Sequence, residues 1–451
     1  MASDRSNAAS FFASKDGVLH AEGVPLPVIA RDVGTPAYVY SAAALRHAAR
    51  AFTQALASVP HAHFAFAVKA NPDIAVLRLL AECGFGADIV SGGELRQALA
   101  AGMLPGGIIF SGVGKTDREM ADALDAGIGQ FNLELEEEGE VLSDLALARG
   151  LRAPAVLRVN PDVDAGTHAK ISTGRKENKF GIALPDVPAM YARLSRLPGL
   201  NLRGVAVHIG SQLRDLAPLE AAYRRIGELI GDLRSQGHRI ATVDLGGGLG
   251  IPYAPDDVVP SVAEYGAMVR RVTKAWDVAL SFEPGRVVAG AAGVLLTQVI
   301  WVKPGAACPY VIVDAAMNDL ARPALYDAYH RFEAVAPREG TMIAHIAGPI
   351  CESGDVFARE REIETVARGD LAVLHTAGAY GAAMASTYNC RRLVPQVLVD
   401  GDRYEVVAER GSGFGVDAPD RTAGAFFGAA DADSERDRGP VPRFDRSLID
   451  A

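Results

Sequence analysis

The feature that most constrains this chain is a rhythm. From about residue 60 to about 285, short apolar runs of strand type alternate with longer amphipathic segments. The runs are "HFAFAVKA", "ADIVS", "GIIFSG", "QFNLE", "AVLRVN", "GVAVHIG", "TVDLGGG" and "ALSFEPG". Between them lie helical patterns such as "IAVLRLLAECG", "GELRQALAAG", "DREMADALDAG" and "LEAAYRRIGELIGDLRSQG", each closing on Gly, a normal helix stop. This β-then-α alternation predicts an α/β fold, a closed parallel (β/α)8 barrel of TIM type over residues 41–288. A doubly wound open sheet is the alternative.

After residue 290 the rhythm changes. "GVLLTQVIWVKPG", "PYVIVDAA", "TMIAHIAG", "REIETVARGDLAVLHTAG" and "LVPQVLVDGDRYEVVAER" read as strands with turn signals and few helices. A second, mostly antiparallel β domain is expected over 289–412. The early stretch "GVPLPVIARDVGTPAYVYS" also reads as strand, so residues 16–40 are expected to return to that domain. Residues 1–15 form an N-terminal extension. Residues 413–451, rich in Gly, Ala, Asp and Arg, predict a disordered tail.

In a barrel of this kind the chemistry gathers at the carboxyl ends of the strands. Those ends carry Lys69, Ser91, Ser111, Asn132, Asn160, His208, Gly246 to Gly248, and Glu283 to Arg286. Lys69 follows the buried-strand run Phe64–Val68, and Pro72 stops the strand just beyond it. On that stretch alone the plainer reading is a stem that packs while its amine reaches water. The other reading is a desolvated amine that forms a Schiff base. A rim this polar, which a packing-only barrel does not need, favours the second.

Several stretches sharpen the site. "VDLGGGLGI" offers a backbone nest for a phosphate at the seventh strand, where such barrels hold phosphates; a plain tight turn is the alternative. Ile251 stands where a dinucleotide fingerprint needs its last Gly. "GVGKTD" lacks the earlier Gly of a P-loop and reads as a helix start. "FEPGR" sets Glu283 and Arg286 beyond the eighth strand, either as a surface ion pair or as a carboxylate facing a ring nitrogen with a guanidinium aimed at a substrate carboxylate. "HIGSQ" places His208, structural or stacked on a planar cofactor, after the sixth. Arg322 and Tyr326 are four apart, on one helical face. "GPICESGD" presents Cys351 and Glu352 in a Gly-bounded turn, and "GAYGAAMASTYN" carries Tyr380 among small residues.

Composition removes other classes. A net charge of −10 argues against a nucleic-acid or anionic-membrane partner. No 18-residue apolar run suggests a membrane span, and the N-terminus lacks the apolar core of a secretory signal. The four cysteines form no CxxC pair, so neither a zinc site nor a disulfide framework is expected, and a reducing cytoplasm fits.

From about Phe12 to Arg410 the chain resembles the diaminopimelate decarboxylases, of the fold-type III group that uses pyridoxal 5′-phosphate (PLP). The motifs "VKAN", "GADIVSGGEL", "ISTGRKENKFGI", "HIGSQ", "GGGLGIPY", "EPGR", "MNDLARPALYDAYH", "GPICESGD" and "GAYGAAMASTYN" stand in family order. The resemblance ends at about Glu409, where members usually finish with a basic strand and a short acidic helix. It implies a PLP-binding barrel plus a β domain and decarboxylation of meso-2,6-diaminopimelate to L-lysine and carbon dioxide. It also implies a homodimer with sites at the interface.

Lys69 would carry the cofactor as its Schiff base. Asp88 and His208 would hold and stack it, with Ser211 also in the cofactor site. Gly246, Gly247 and Gly248 would cradle its phosphate, with Pro284, Gly285, Arg286 and Tyr380 nearby. Glu283 would face the ring nitrogen. Arg286, Arg322, Tyr326 and Tyr380 would bind substrate, and Glu352 would pair with its distal ammonium. Cys351, like Glu352 contributed by the partner, would protonate the α-carbon. Rival readings are a sibling decarboxylase for ornithine, arginine or carboxynorspermidine, an inactive homologue that regulates a partner enzyme, and a sugar-phosphate barrel enzyme.

Overall fold

A computed structural model describes residues 11–164 and 179–411, and strand and helix alternate as the apolar pattern dictates from His63 to Phe282. The chain opens with a small antiparallel sheet of β1 (Phe12–Lys15), β2 (Val18–Ala21) and β3 (Val24–Pro25), then α1 (Leu26–Val33), β4 (Ala37–Ser41) and α2 (Ala42–Ala55). The barrel follows as β5 (His63–Ala67), α3 (Ile74–Glu82), β6 (Gly86–Ile89), α4 (Gly92–Ala100), β7 (Ile108–Phe110), α5 (Asp117–Ala126), β8 (Gln130–Leu133) and α6 (Glu136–Leu147). It continues through β9 (Ala153–Asn160), the short β10 (Ile182–Ala183), α7 (Val187–Leu194), β11 (Leu200–Val207), α8 (Ala217–Ser235), β12 (Thr242–Asp244), α9 (Val262–Thr273) and β13 (Ala279–Phe282).

Every pairing round the ring β5-β6-β7-β8-β9-β11-β12-β13 is parallel. The ring closes where Ser281 and Phe282 of β13 register with His63 and Phe64 of β5. The sheet is a closed eight-stranded barrel. All eight strand candidates named from the sequence lie in it. Phe66, Phe110, Phe131 and Phe282 are fully buried, each burial worth about 1.5–3 kcal/mol. The outer helices bury one stripe each. In α8 that stripe is Leu219, Ala222, Tyr223, Ile226, Leu229, Ile230 and Leu233, the 3–4 spacing of an amphipathic helix. The "GVGKTD" stretch does start a helix. Thr116 caps α5 in a capping box with Glu119.

The second sheet is built from β14 (Gly293–Lys303), which follows the one-turn α10 (Arg286–Ala289), and β15 (Tyr310–Val313). After the short α11 (Arg322–Tyr326) come β16 (Phe332–Ala334), β17 (Thr341–Ala347), β18 (Val356–Glu364), β19 (Leu371–Leu374), β20 (Gln396–Asp400) and β21 (Arg403–Ala408). Its order is β18-β17-β15-β14-β4-β20-β21, and β19 bridges β14 and β16. The pairings are antiparallel except β15–β17 and β4–β20. The N-terminal β4 thus sits inside the C-terminal sheet.

One expectation is corrected. "GVPLPVIARDVGTPAYVYS" is not all strand, because Leu26–Val33 is a helix. Pro27 lies in its first turn, where a missing N–H costs nothing, and Leu26 and Ile29 take the 3.6-residue spacing of its buried face. The predicted tail 413–451 and most of the "ISTGRKENKFGI" motif lie outside the described residues.

Candidate active site

Lys69 sits two residues beyond the carboxyl end of β5, in a single 3-10 turn, Val68–Ala70. Asn71 fixes that turn. Its Oδ1 accepts from the Asp73 N–H at 3.1 Å and its Nδ2 donates to the Gly378 carbonyl at 3.1 Å. The Tyr380 N–H donates to the Ala70 carbonyl at 2.8 Å, which binds the Tyr380 loop to the same turn. The Lys69 amine donates to Oδ2 of Asp88, on β6, at 2.6 Å. Asp88 is fully buried, and among the described residues its Oδ1 has no partner. Burial lowers the affinity of the Lys69 amine for its proton. Asp88, followed by Glu283 and Tyr380, outweighs burial, so the amine is held as an ammonium above its usual range.

Below this pair lies a polar floor that sequence reading found only in part. Oε1 of Glu283 accepts from Ser111 Oγ and from Asn132 Nδ2, both at 3.3 Å. Asp244, at the end of β12, is fully buried. It accepts from Gln130 Nε2 at 3.1 Å and from the Gly246 N–H at 2.9 Å. Glu283 and Asp244 share this floor, and burial first, then Asp244, raises the Glu283 carboxyl well above the carboxylate range. Glu283 is the member of the pair that keeps a proton.

The glycine turn follows β12. Gly248 has φ +106°, and a Cβ there would fall 2.3 Å from the Gly210 carbonyl. Only glycine fits such a turn, which sets Gly247 and Gly248 in the cavity wall. The Gly247 N–H donates to Nδ1 of His208 at 3.2 Å. Burial, then Arg158 and Lys69, lower the His208 ring well below its usual range, so it is neutral.

Lys69, His208, Ser211, Gly247, Gly248, Glu283, Pro284, Gly285, Arg286, Arg322, Tyr326 and Tyr380 line one cavity of about 570 Å³. Asp88 touches it through Lys69, and Gly246 supports it by accepting the Glu283 N–H at 2.7 Å. Arg286 donates to Ser211 Oγ at 3.0 Å and to Tyr253 Oη at 2.6 Å, and among the described residues its Nε has no partner. It also lies over the Tyr380 ring, 4.7 Å from the centroid. Arg322 lies over the Tyr253 ring at 4.8 Å. Both arginines are buried, at 7% and 5% exposure, and among the described residues neither has a carboxylate partner.

Cys351 and Glu352 are not brought to this cavity. They lie exposed in the turn between β17 and β18, where Asn389 Nδ2 is 3.6 Å from Cys351 Sγ. Asp355, buried and not singled out from the sequence, shapes the turn by accepting from the Ile350 and Met317 N–H groups, both at 2.7 Å. Asp244, Tyr253 and His330 were also missed. Tyr253 stands in the "GGGLGIPY" stretch and His330 ends "YDAYH", so proximity to quoted motifs was the available signal.

A barrel with a lysine–aspartate pair, a glycine nest and a protonated floor carboxyl has known relatives. Residues 43–290 match the family model of the pyridoxal-dependent decarboxylase, pyridoxal binding domain. A diaminopimelate decarboxylase of Zymomonas mobilis is 52% identical over 404 residues, covering 89% of this chain and 96% of that protein. The crystal structure of diaminopimelate decarboxylase from Helicobacter pylori complexed with L-lysine is 34% identical, with a TM-score of 0.83 over 86% of this chain and 97% of that one. A diaminopimelate decarboxylase from M. jannaschii in complex with L-lysine gives a TM-score of 0.86 at 34% identity, over 90% and 96%. The chain belongs to the pyridoxal-dependent decarboxylases and, within them, to the diaminopimelate decarboxylase family.

Proposed function

We propose that the cavity around Lys69 is where this carboxy-lyase converts meso-2,6-diaminopimelate to L-lysine and carbon dioxide. The observation that carries the assignment to these residues is the pair of buried guanidiniums, Arg286 and Arg322, without a carboxylate among the described residues. Buried cations demand an anion. Diaminopimelate brings a distal carboxylate that ornithine and arginine lack. A substrate without it leaves the site's charge unmatched.

The residues present fit pyridoxal 5′-phosphate. The orphaned Oδ1 of Asp88, which pairs through Oδ2 with the Lys69 amine, stands beside a cavity walled by that amine, by Gly247 and Gly248 of the glycine turn and by Glu283. Lys69 would hold the aldehyde carbon, Gly246 to Gly248 with Ser211 and Gly285 the phosphate, and His208 the flat face. When bound, the cofactor supplies an electron sink for the pair left as carbon dioxide departs. Asp88 Oδ2 takes the proton that the Lys69 amine must lose to become a nucleophile. Glu283, which holds a proton at the cavity floor, would face the cofactor's ring nitrogen and, beside a cationic ring, would take its charged form. Arg286 and Arg322 orient the distal carboxylate, with Tyr326 and Tyr380 at the wall.

The proton for the α-carbon would come from Sγ of Cys351 of a second copy, with that copy's Glu352 on the distal ammonium. The exposed turn, outside its own chain's cavity, supports that homodimer. Four free thiols suit a cytoplasmic setting. Borohydride reduction of the PLP-loaded protein followed by peptide mass spectrometry should place the cofactor on Lys69. Turnover assays should give lysine from diaminopimelate, with release of carbon dioxide from ornithine or arginine at least a hundredfold slower, about 2.7 kcal/mol in transition-state binding. Label on another lysine, or comparable turnover of ornithine, would defeat the assignment.

A further inference from the structure

Arg322 is held by a residue that lines neither the glycine turn nor the Lys69 pair. His330, fully buried in the segment between α11 and β16, receives the Arg322 Nε–H at its Nε2, 3.3 Å away. Its Nδ1 lies 2.8 Å from the His375 carbonyl, just past β19. A carbonyl only accepts and a guanidinium only donates, so Nδ1 bears the hydrogen and Nε2 is bare. The two partners therefore fix one neutral tautomer. The same ring meets Tyr253 edge to face, with centroids 5.5 Å apart at 77°. Tyr253 in turn accepts from Arg286 at 2.6 Å and carries Arg322 over its face.

We infer that His330 is a positioning residue for the substrate's distal carboxylate. It occupies the Nε of Arg322 and seats Tyr253, so that both guanidiniums present their remaining N–H groups to one anion. The inference rests on the role given above to Arg322. The ring's neutrality suits the task. Burial, then Arg322, lower the imidazole to about 3, so it never competes as a second cation for the carboxylate. The anchoring carbonyl directly follows the strand pair β16–β19, where Phe332 registers with Leu374. The β domain thereby sets the aim of a cavity that is mostly barrel.

The test compares two ligands of the PLP-loaded enzyme, L-lysine, which keeps the distal carboxylate, and 1,5-diaminopentane, which lacks it. His330→Phe keeps the bulk and removes the acceptor. Lysine should bind roughly tenfold more weakly, ~1.4 kcal/mol, with 1,5-diaminopentane unchanged. KM for diaminopimelate should rise similarly while kcat holds within about twofold. His330→Asn, whose amide oxygen can accept from Arg322, should recover part of the lysine affinity. If His330→Phe does not fold, His330→Leu, which also lacks the acceptor, takes its place, and a lysine-to-diaminopentane ratio equal to the parent's overturns the inference. Equal weakening of both ligands would also overturn it. Arg322→Ala separates the two layers. Loss of discrimination there with none at position 330 removes His330 alone, whereas no loss in either variant removes the role of Arg322 itself.

Discussion

Around Lys69, burial acts on three carboxyls with different results. Asp88 is paired with the amine, and Glu283 is pushed into holding a proton. Glu94, on the first turn of α4, is raised from 4.5 to about 7 by burial, against the pull of the Val90 N–H that its side chain accepts at 2.7 Å. The folded chain therefore keeps a proton on Glu94 between pH 4.5 and about 7 that the unfolded chain has released. Stability must fall as pH rises through that window. Glu94→Gln, which keeps an oxygen for Val90, should leave the melting temperature unchanged near pH 4.5 and raise it relative to the parent at pH 8. An equal difference at both values would show that the carboxyl is not perturbed. Lys69, Glu283 and Arg286 were legible because strand ends can be read from apolar runs. Asp244 was not, since an acid closing a three-residue strand looks like its boundary. His330 and Tyr253 are brought together by tertiary contacts more than seventy positions apart, which no local pattern encodes.

At the scale of elements, the barrel was readable because each strand is a continuous apolar run and each helix an amphipathic one, two periods that do not mimic each other. The exception, Leu26–Val33, is short and rich in Val and Ile, so composition suggested strand where spacing encoded helix. α8 shows how context outranks propensity. It contains Gly227 and Gly231, both helix-weakening residues. At Gly231, exposed, a Cβ meets nothing within 4 Å, whereas at Gly227 it would fall 2.8 Å from Nε1 of Trp276. Gly231→Ala should stabilise the protein by about 0.5–1 kcal/mol. Gly227→Ala should destabilise it, since Trp276 is nearly buried and cannot swing clear without losing its packing. Chemical denaturation of the two variants checks both signs, and a matching shift in the two would refute the argument.

For the whole molecule the question is whether one chain can complete its own site. The barrel supplies the amine, the glycine turn and the floor, and α11 supplies Arg322. The β17–β18 turn holds the proposed acid, Cys351, in the open. If two copies exchange these turns, a Lys69→Ala chain still offers Cys351, and a Cys351→Ala chain still offers Lys69. Random reassociation of equal amounts makes half the dimers mixed, and each mixed dimer has one intact site out of two. Recovered activity should therefore approach about one quarter of the parent's, from two chains that are each nearly inactive alone. The mixture must be shown by native mass spectrometry to contain mixed dimers. A mixed population with no more activity than its parents would mean that each barrel draws its proton donor from within its own chain, and the exposed position of Cys351 would then require that turn to move.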